Sequence, residues 1–323
     1  MSDWQDLNIG SICIKIIDYR GKTPEKVLSG TKLITSKVIK NSRILDNANF
    51  EYIRDDKYEE VMRRGKPEFQ DILLTTEAPL GEVALIKSDE KIAIAQRIIL
   101  LRADQDKVIP DFLFYSLRGP IGYNRVQQKG TGTTVLGIKN PELKKVILPI
   151  PPLPTQQKIA KILSNHDDLI ENNLKRIKLL EESARLIYEE WFLRFRIDGK
   201  KLEIDPESSL PFGWELVELG DFLKFKKGKK ADEIFEEKKD NLIKLLLLSG
   251  LGSGEYAYVE KARHVIARRG DVLMTMDGAR SSVVFYSEDG AVGSTMSLVE
   301  TGKLPKSYLY HFFKSTYEWL EIN

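Results

Sequence analysis

Asp71, Asp89 and Lys91 are the residues of this sequence whose types and spacing come nearest to a catalytic arrangement. Asp71 lies eighteen residues before the triplet Asp-Glu-Lys, which runs from Asp89 to Lys91. A carboxylate followed by a D/E-x-K triplet can hold a catalytic Mg²⁺, so an autonomous Mg²⁺ nuclease is one interpretation of the chain. The same triplet has the composition of a charged hairpin turn, which is the structural alternative.

The other residue types that bind metals or phosphates are not arranged to do so. His166, His264, His311 and the single cysteine, Cys13, are widely scattered and lack metal-ligand spacing. The stretch GTGTT, residues 130–134, lacks the lysine of a GxxxxGK[ST] phosphate loop and is predicted to form a tight loop. The sequence also lacks the Asn/Asp-Pro-Pro-aromatic tetrapeptide used by amino-methyltransferases. It therefore predicts no catalytic residue and no metal site in this chain.

The composition is typical of a globular chain with two domains. Of its 323 residues, 42% are hydrophobic and 30% are charged, and the net charge of +2 is too small to imply nucleic-acid binding by itself. The apolar run from Leu245 to Leu248 is too short to span a bilayer, and the N-terminus lacks a secretory signal pattern. One cysteine allows no internal disulfide. These features predict a cytoplasmic protein without a membrane segment.

A long helix is predicted between the two halves of the chain. Prolines crowd the stretch LPIPPLP, whereas residues 155–198 contain neither proline nor glycine. Side chains on one stripe recur there at alternating steps of 4 and 3, which is typical of a coiled-coil seam. The seam consists of Ile159, Leu163, His166, Ile170, Asn173, Ile177, Leu180, Ala184, Ile187 and Trp191. A rod of roughly 60 Å outruns one domain, so this seam is expected to need another long helix.

Three landmarks occur twice in the same order, which indicates a tandem duplication with a period near 200 residues. They are the Trp-x5-Gly openings at Trp4 and Trp214, the β-rich segments from Asp71 and Asp271, and the segments PDFLFYSL and PKSYLYHFF from Pro110 and Pro305. Ala291 stands where the first copy has Lys91, so the second copy lacks the metal-binding triplet. The offset of the last landmark places Asn323 opposite Gln128, and we expect a chain truncated before its second long helix.

Each copy is predicted to have a mixed α/β (α+β) fold. The segments from Asp71 and Asp271 are expected to form hairpins around the turns KSDEK and YSEDG, and the segments from Pro110 and Pro305 to form short helices. The predicted organisation is two tandem domains joined by a long coiled-coil-type helix. The domains are residues 1–150, the long helix 151–197, a linker 198–213, and an incomplete second domain 214–323.

This arrangement resembles the specificity subunit of type I restriction–modification enzymes. The resemblance is carried by the Trp-x5-Gly opening, a β-rich domain, the stretch LPIPPLPTQQKIAKIL leading into a long helix that ends YEEWF, and a second such domain. It covers the whole chain in arrangement and is most specific from Leu148 to Phe192. Thr155 departs from the family, which usually has glutamate before the glutamine of this motif, and the second conserved helix is missing.

The resemblance implies a non-catalytic subunit that binds double-stranded DNA. Its two target recognition domains would each read one half of a split sequence, and the long helix would set the spacing between them. Such subunits dock methyltransferase subunits, and restriction subunits join the complex. No cofactor is expected in this chain, since S-adenosylmethionine belongs to the methyltransferase partner and ATP and Mg²⁺ to the restriction partner.

Candidate DNA contacts are basic and polar residues clustered near the predicted turns, because Arg and Lys contact guanine and phosphates while Asn and Gln contact adenine. In the first copy they are Arg20, Lys22, Thr23, Arg63, Arg64, Lys66, Asn124, Arg125, Gln127 and Lys129. In the second copy they are Lys226, Lys227, Lys229, Lys230, Arg268, Arg269, Arg280 and Ser281. A solvated surface turn has the same composition.

Three further interpretations stay open at the level of sequence. The exposed seam could make the chain a dimerising coiled-coil scaffold, or the truncation could make it an inactive subunit. Two chains could also pair their long helices antiparallel, giving a homodimer that favours a split palindrome.

Overall fold

The computed structural model describes residues 3–21, 24–45, 49–250, 256–277 and 281–317. The chain divides into a first unit, Met1–Leu174, and a second unit, Lys175–Asn323. Among the described residues, no helix is both long enough and apolar enough to cross a membrane.

The first unit is a mixed α/β domain. Its strands are β1 Gln5–Asn8, β2 Cys13–Asp18, β3 Thr31–Ile34, β4 Ile39–Lys40, β5 Arg43–Ile44, β6 Glu51–Ile53, β7 Ile72–Thr76, β8 Leu80–Leu85, β9 Ile92–Ile94, β10 Ile98–Ala103 and β11 Ile147–Ile150. Its helices are α1 Ile9–Ile12, α2 Tyr58–Val61, α3 Pro110–Arg118, α4 Pro120–Gln128 and α5 Asn140–Lys144, and α6, Leu153–Tyr188, begins in this unit and ends in the next.

The second unit repeats the same kinds of element. Its strands are β12 Arg196–Ile197, β13 Lys200–Lys201, β14 Leu223–Lys227, β15 Leu242–Leu246, β16 Ala257–Glu260, β17 Ile266–Ala267, β18 Val272–Thr275, β19 Val284–Tyr286, β20 Gly290–Val292 and β21 Met296–Thr301. A π-helical turn, Glu189–Leu193, follows α6, and α7 is Lys306–Ser315.

The two units share one sheet topology. An antiparallel sheet has the order β2-β10-β7-β8 in the first unit and β14-β21-β18-β19 in the second. Beside it, β3 pairs with β6 antiparallel and β9 parallel, and β15 pairs in the same way with β16 and β20. These matching orders confirm two tandem domains of mixed α/β fold.

The central strands of each four-stranded sheet are buried on both faces. Ile72 and Leu74 of β7 lie in the core formed with α3 and α4, whereas Leu73 between them lies in the core formed with β3 and β9. In the second unit, Val272 and Leu273 divide between two cores in the same way. Successive side chains of a strand point to opposite faces, so a sheet covered on both sides requires the near-continuous apolar runs seen in DILL and DVLM.

The predicted hairpin turns are wrong in position. The hairpin from Asp71 reverses at residues 77–79, between β7 and β8, and KSDEK instead leads from β8 to β9 in the other sheet. YSEDG likewise leads from β19 to β20. Both turn clusters lie between two strands, but a turn composition does not specify which sheet receives the next strand.

The first turns of α6 are fixed to the first unit by a buried glutamine. The Gln156 side chain accepts a hydrogen bond from the Ile109 N–H at 2.8 Å and donates to the carbonyls of Lys107 and Pro151 at 2.9 and 2.8 Å. Three turns further on, Asp167 accepts hydrogen bonds from the Tyr115 hydroxyl at 3.0 Å and from Arg118 at 2.6 Å. These contacts define the direction in which the helix leaves the domain.

Aromatic side chains fix the other end of α6 within the second unit. Tyr188 is buried, and its ring lies 5.8 Å from both Tyr308 and His311 of α7. Phe192 in the π-helical turn packs against Tyr308 at 4.8 Å and against Trp214 at 6.0 Å. The motif YEEWF, which the sequence marks only as a helix end, therefore anchors the helix to the second domain.

Replacing Gln156 by leucine tests the first of these anchors. Gln156→Leu leaves the Ile109 N–H and two carbonyls without their partner, so it is expected to destabilise the first unit by about 1–3 kcal/mol. Urea unfolding and hydrogen exchange at the Ile109 amide measure the change. Gln157→Leu is the matched control, because Gln157 is exposed on the same helical turn and should have little effect. Equal stability of the two variants would contradict the anchoring role.

Candidate nucleic-acid interface

Asp71 has a structural role that occupies its whole carboxylate. Arg102 donates from Nε and Nη2 to the two carboxylate oxygens at 2.8 and 2.7 Å, and the Glu68 N–H donates at 2.7 Å. The side chain of Asp71 is 1% exposed, whereas Asp89 is exposed and the Lys91 ammonium lies 4.2 Å from the centre of the Tyr58 ring. Within the described ranges, no group of three metal-binding side chains is present. The geometry therefore does not support the nuclease interpretation of Asp71, Asp89 and Lys91.

Asp271 performs the same task in the second unit. Its carboxylate accepts a hydrogen bond from the Arg268 N–H at 2.7 Å, as Asp71 does from Glu68, and from the Lys306 ammonium at 2.6 Å. Burial works against the charged form, but these donors outweigh it and hold the pKa of Asp271 below its usual value. The aspartate directly before β7 and before β18 therefore accepts a hydrogen bond from the preceding turn in both units.

The candidate interface of each unit is the edge at which three strands of the four-stranded sheet end or begin. Because β10 runs antiparallel to β2 and β7, the ends of β2 and β7 lie beside the start of β10. We call this edge the strand-end surface. In the second unit it is formed by the ends of β14 and β18 and the start of β21.

Part of the predicted DNA-binding set of the first unit meets at its strand-end surface. Arg20 follows β2 and pairs with Asp18 at 2.5 Å, and Arg64 donates to the backbone carbonyls of Asp18, at 2.6 Å, and of Arg20. Gln127 donates to the Leu80 carbonyl at 2.7 Å, which holds the end of α4 against β8. Burial raises the pKa of Tyr19, whose hydroxyl donates to the Gly65 carbonyl and ties the two basic segments together.

Other predicted residues of the first unit lie elsewhere. Lys66 pairs with Glu59 at 2.7 Å, and its carbonyl accepts from Arg102 near the opposite end of β10. Arg125 donates to the Ile147 carbonyl at 2.8 Å, on the side of the β1–β11 ribbon. Arg63, Asn124 and Lys129 are exposed. Arg63 follows α2, Asn124 lies within α4 and Lys129 directly follows α4. Lys22 and Thr23 lie outside the described residues.

In the second unit, the lysine cluster lies at the equivalent strand-end surface. Lys227 ends β14 and lies 3.3 Å from Asp277, just beyond the end of β18, and Lys229 and Lys230 follow it and are exposed. Lys226 pairs with Glu300 across β14 and β21 at 2.6 Å. Ser281 is half-buried close to β19.

The remaining candidates of the second unit are at the opposite end or are not described. The backbone N–H groups of Arg268 and Arg269 donate hydrogen bonds to the carboxylates of Asp271 and Asp289. Both arginines come shortly before β18, so they lie at the other end of the sheet. Arg280 lies outside the described residues.

A cleft of about 290 Å³ opens at the strand-end surface of the first unit and contains residues that sequence reasoning missed. Gln96, Arg97 and Lys139 line it together with Arg20 and the loop that contains GTGTT. The loop closes through paired hydrogen bonds between Thr131 and Gly137, at 2.7 and 3.0 Å, which confirms the tight loop. Arg97 was missed because it is an isolated basic residue between two buried strands rather than part of a charged run. A residue-by-residue alignment of the two copies is the signal that could have identified Arg97.

The seam of α6 is largely uncovered within this chain. Ile159 packs against the core of the first unit and Ala184 is half-buried, but the positions between them are exposed, with Ile177 at 52% and Leu180 at 68%. His166 and Asn173 are exposed on the same stripe, and so are Ile187 and Trp191 beyond it. An exposed apolar stripe of this length is the feature that the sequence predicts for pairing with another helix.

Comparison with known proteins identifies the family that the chain resembles. The family described as the type I restriction modification DNA specificity domain matches residues 1–182. The chain is 35% identical over 167 residues to the type I restriction enzyme MjaIX specificity subunit of Methanocaldococcus jannaschii, an alignment that covers 50% of this chain and 38% of that subunit. It is 23% identical over 347 residues to the MjaVIII specificity subunit of the same organism, covering 99% of this chain and 77% of that subunit.

A solved structure shows the same fold. The crystal structure of the type I restriction–modification system S subunit from M. genitalium aligns with a TM-score of 0.58 and 18% identity, and covers 99% of this chain and 79% of that chain.

Removing Lys306 tests the electrostatic role of Asp271. A carboxyl whose pKa is lowered on folding stabilises the protein above its unfolded pKa, about 3.9 for Asp, and this stability is lost as the pH falls through the lower folded value. Lys306→Ala is therefore expected to lower stability by up to about 1 kcal/mol at pH 7, a contribution limited by solvent exposure, and to approach the wild type only as the pH falls from about 4 through the lower folded pKa of Asp271. Urea unfolding at several pH values measures this. Lys303→Ala, at an exposed position, is the control; a deficit that does not change with pH would contradict the assignment.

Proposed function

The chain belongs to the type I restriction–modification DNA specificity domain family, and we propose that it is the DNA-recognition subunit of such a complex. In this proposal each of its two domains reads one half of a bipartite double-stranded site. The observation that carries it is the repetition of one fold with basic residues at the same strand-end surface, Arg20 and Arg64 in the first unit and Lys227, Lys229 and Lys230 in the second.

The chemistry of these surfaces fits DNA. Arginine and lysine side chains contact phosphates and the guanine edge, and amide side chains contact adenine, so a polar and basic loop edge on a rigid sheet suits base reading. The predicted residues of the strand-end surfaces are proposed as DNA contacts. Arg125, Lys66, Arg268 and Arg269 are proposed only as peripheral phosphate contacts, because they lie away from these edges.

The long helix is proposed to set the spacing of the two half-sites and to dock the methyltransferase subunits, with restriction subunits joining the complex. A helix of 36 residues extends over about 54 Å, compared with about 34 Å for one turn of DNA, so its length is sufficient for both tasks. Recognition is the role of this chain. S-adenosylmethionine would be bound by the methyltransferase partner, and ATP and Mg²⁺ by the restriction partner. We propose a cytoplasmic location for the chain, where it would meet the DNA that it is proposed to bind.

The exposed seam favours a second assembly. Two copies of the chain could pair their helices antiparallel through Ile170, Ile177 and Leu180, giving a homodimer with two first units related by a two-fold axis. A scaffold that only dimerises is the alternative function for this surface.

Mapping N6-methyladenine in cells that express this chain with its cognate methyltransferase tests the proposed function. A split motif with two different halves is expected if both domains read DNA. A split palindrome is expected if the homodimer presents the first unit twice. Random or absent methylation with both proteins folded and co-purifying would contradict the recognition role and leave the scaffold.

Charged substitutions on the seam test the assembly surface. Ile177→Asp and Leu180→Asp replace exposed apolar side chains of the seam and are expected to weaken association with the methyltransferase, or with a second copy, roughly ten- to hundred-fold, since each removes apolar burial at the interface. Sedimentation velocity of the chain alone and with the methyltransferase measures both forms. Asn172→Asp adds the same charge on an exposed position off the seam and should leave association unchanged. Equal association of all variants would rule out the seam.

A further inference from the structure

We propose that the two residues directly before β10 in the first unit, and the two directly before β21 in the second, are positions that contact DNA bases. We propose further that Arg97 reads a guanine in the half-site bound by the first unit. These residues are Gln96 and Arg97 before β10, and Ser294 and Thr295 before β21. This inference rests on the proposed function, because it assigns the reading of one base to a particular side chain within it.

The backbone shows that Arg97 and Thr295 occupy the same place in the repeated fold. The Thr76 N–H donates to the Arg97 carbonyl at 2.9 Å, and the Met276 N–H donates to the Thr295 carbonyl at 2.9 Å. The residues that follow them pair in the same register, Ile98 with Thr75 and Met296 with Thr275. The strand-end surface is therefore one scaffold built twice.

Positions that maintain this scaffold carry the same residue in both units. Asp71 and Asp271 both cap the turn before the central strand. Thr75 and Thr275 are both buried, and their hydroxyls accept hydrogen bonds from the N–H groups of Glu82 and Val283, each at 3.0 Å. A structural role thus preserves residue type across the duplication.

Arg97 and Thr295 have different side chains although their backbones match, and the nearby carboxylate forms a different ion pair in each unit. In the first unit, Glu77 holds the Arg97 Nε at 2.8 Å, whereas in the second unit the equivalent Asp277 lies 3.3 Å from Lys227 instead. The scaffold does not need either arrangement. Two different side chains on one scaffold are what two domains require if each reads a different half-site.

The surroundings of Arg97 suit a base edge. Its side chain is 51% exposed and Glu77 is 40% exposed, so their ion pair adds little stability and acts mainly to orient the guanidinium. Glu77 engages Nε, and the terminal nitrogens are the atoms that arginine uses to bind guanine O6 and N7 bidentately. Gln96 lies beside it in the cleft, and Lys139 supplies a cation at the rim for a phosphate.

Installing the residue of the second unit tests this assignment. The complex of this chain with its methyltransferase is prepared as wild type, Arg97→Thr and Arg97→Lys, and N6-methyladenine motifs are mapped together with Kd values for DNA carrying single base changes at fixed salt. Arg97→Thr is expected to relax one guanine position in each half-site read by the first unit and to weaken cognate binding about five- to 150-fold. Arg97→Lys is expected to lose the same guanine preference while retaining more affinity, because a lysine ammonium keeps the charge without the bidentate geometry.

Two outcomes would overturn the inference while leaving the proposed function intact. The first is an unchanged motif in Arg97→Thr together with either an equal loss of affinity for all DNA sequences or full affinity in Arg97→Lys. Either result would indicate that Arg97 contacts a phosphate. The other is an unchanged motif and unchanged affinity in Arg97→Thr. Arg54→Ala is the matched control, because Arg54 also forms an exposed ion pair, with Asp56 at 2.9 Å, away from the strand-end surface. A wild-type complex with no motif would overturn both the proposed function and this inference.

Discussion

Burial of both faces of the four-stranded sheet is the constraint on which the rest of each domain depends. Helices cover one face and the second sheet covers the other, so a charged side chain on the strands themselves would be expensive unless it were paired. Arg102 is such a case, and its guanidinium is neutralised by Asp71. On the buried central strands, polar groups that are free to meet a ligand therefore lie at the strand ends and in the loops, whereas the edge strands β2 and β14 also expose lysines along their length. The antiparallel pairing of β2, β10 and β7 then collects these groups at one edge.

The long helix obeys a different constraint. Its first turns satisfy their contacts within the first unit through Gln156 and Asp167, and its last turn does so within the second through Tyr188. Between these anchors the seam residues Ile170, Ile177 and Leu180 are exposed, and burial of apolar surface is the dominant source of association energy. These exposed positions agree with the proposal that the helix binds a second protein segment.

Duplication separates scaffold from recognition more clearly than either domain does alone. Asp71 and Asp271, or Thr75 and Thr275, keep their residue type because each satisfies a backbone group that exists in both copies. Arg97 and Thr295 share the same backbone hydrogen bonds but differ in side chain, which agrees with the proposal that they read different bases. The contacts of the triplet from Asp89 to Lys91 likewise do not support a metal site. Its lysine lies on Tyr58, and its supposed carboxylate partner is already saturated by Arg102.

Local periodicity determined the long helix, its seam, the proline-started helices and the repeat, because each depends on residues that are close in sequence or on a fixed offset between copies. Composition also placed Arg20 and the lysines after β14 near turns. The tertiary structure alone decided which turn reverses a hairpin, that Asp71 pairs with Arg102, and that Arg20, Glu77 and Arg97 meet at one edge. Strand pairing is non-local, and alternation of apolar residues specifies a buried strand without naming its neighbour or register. For that reason the sequence could locate basic residues, whereas only the folded sheet could bring the separated ones together.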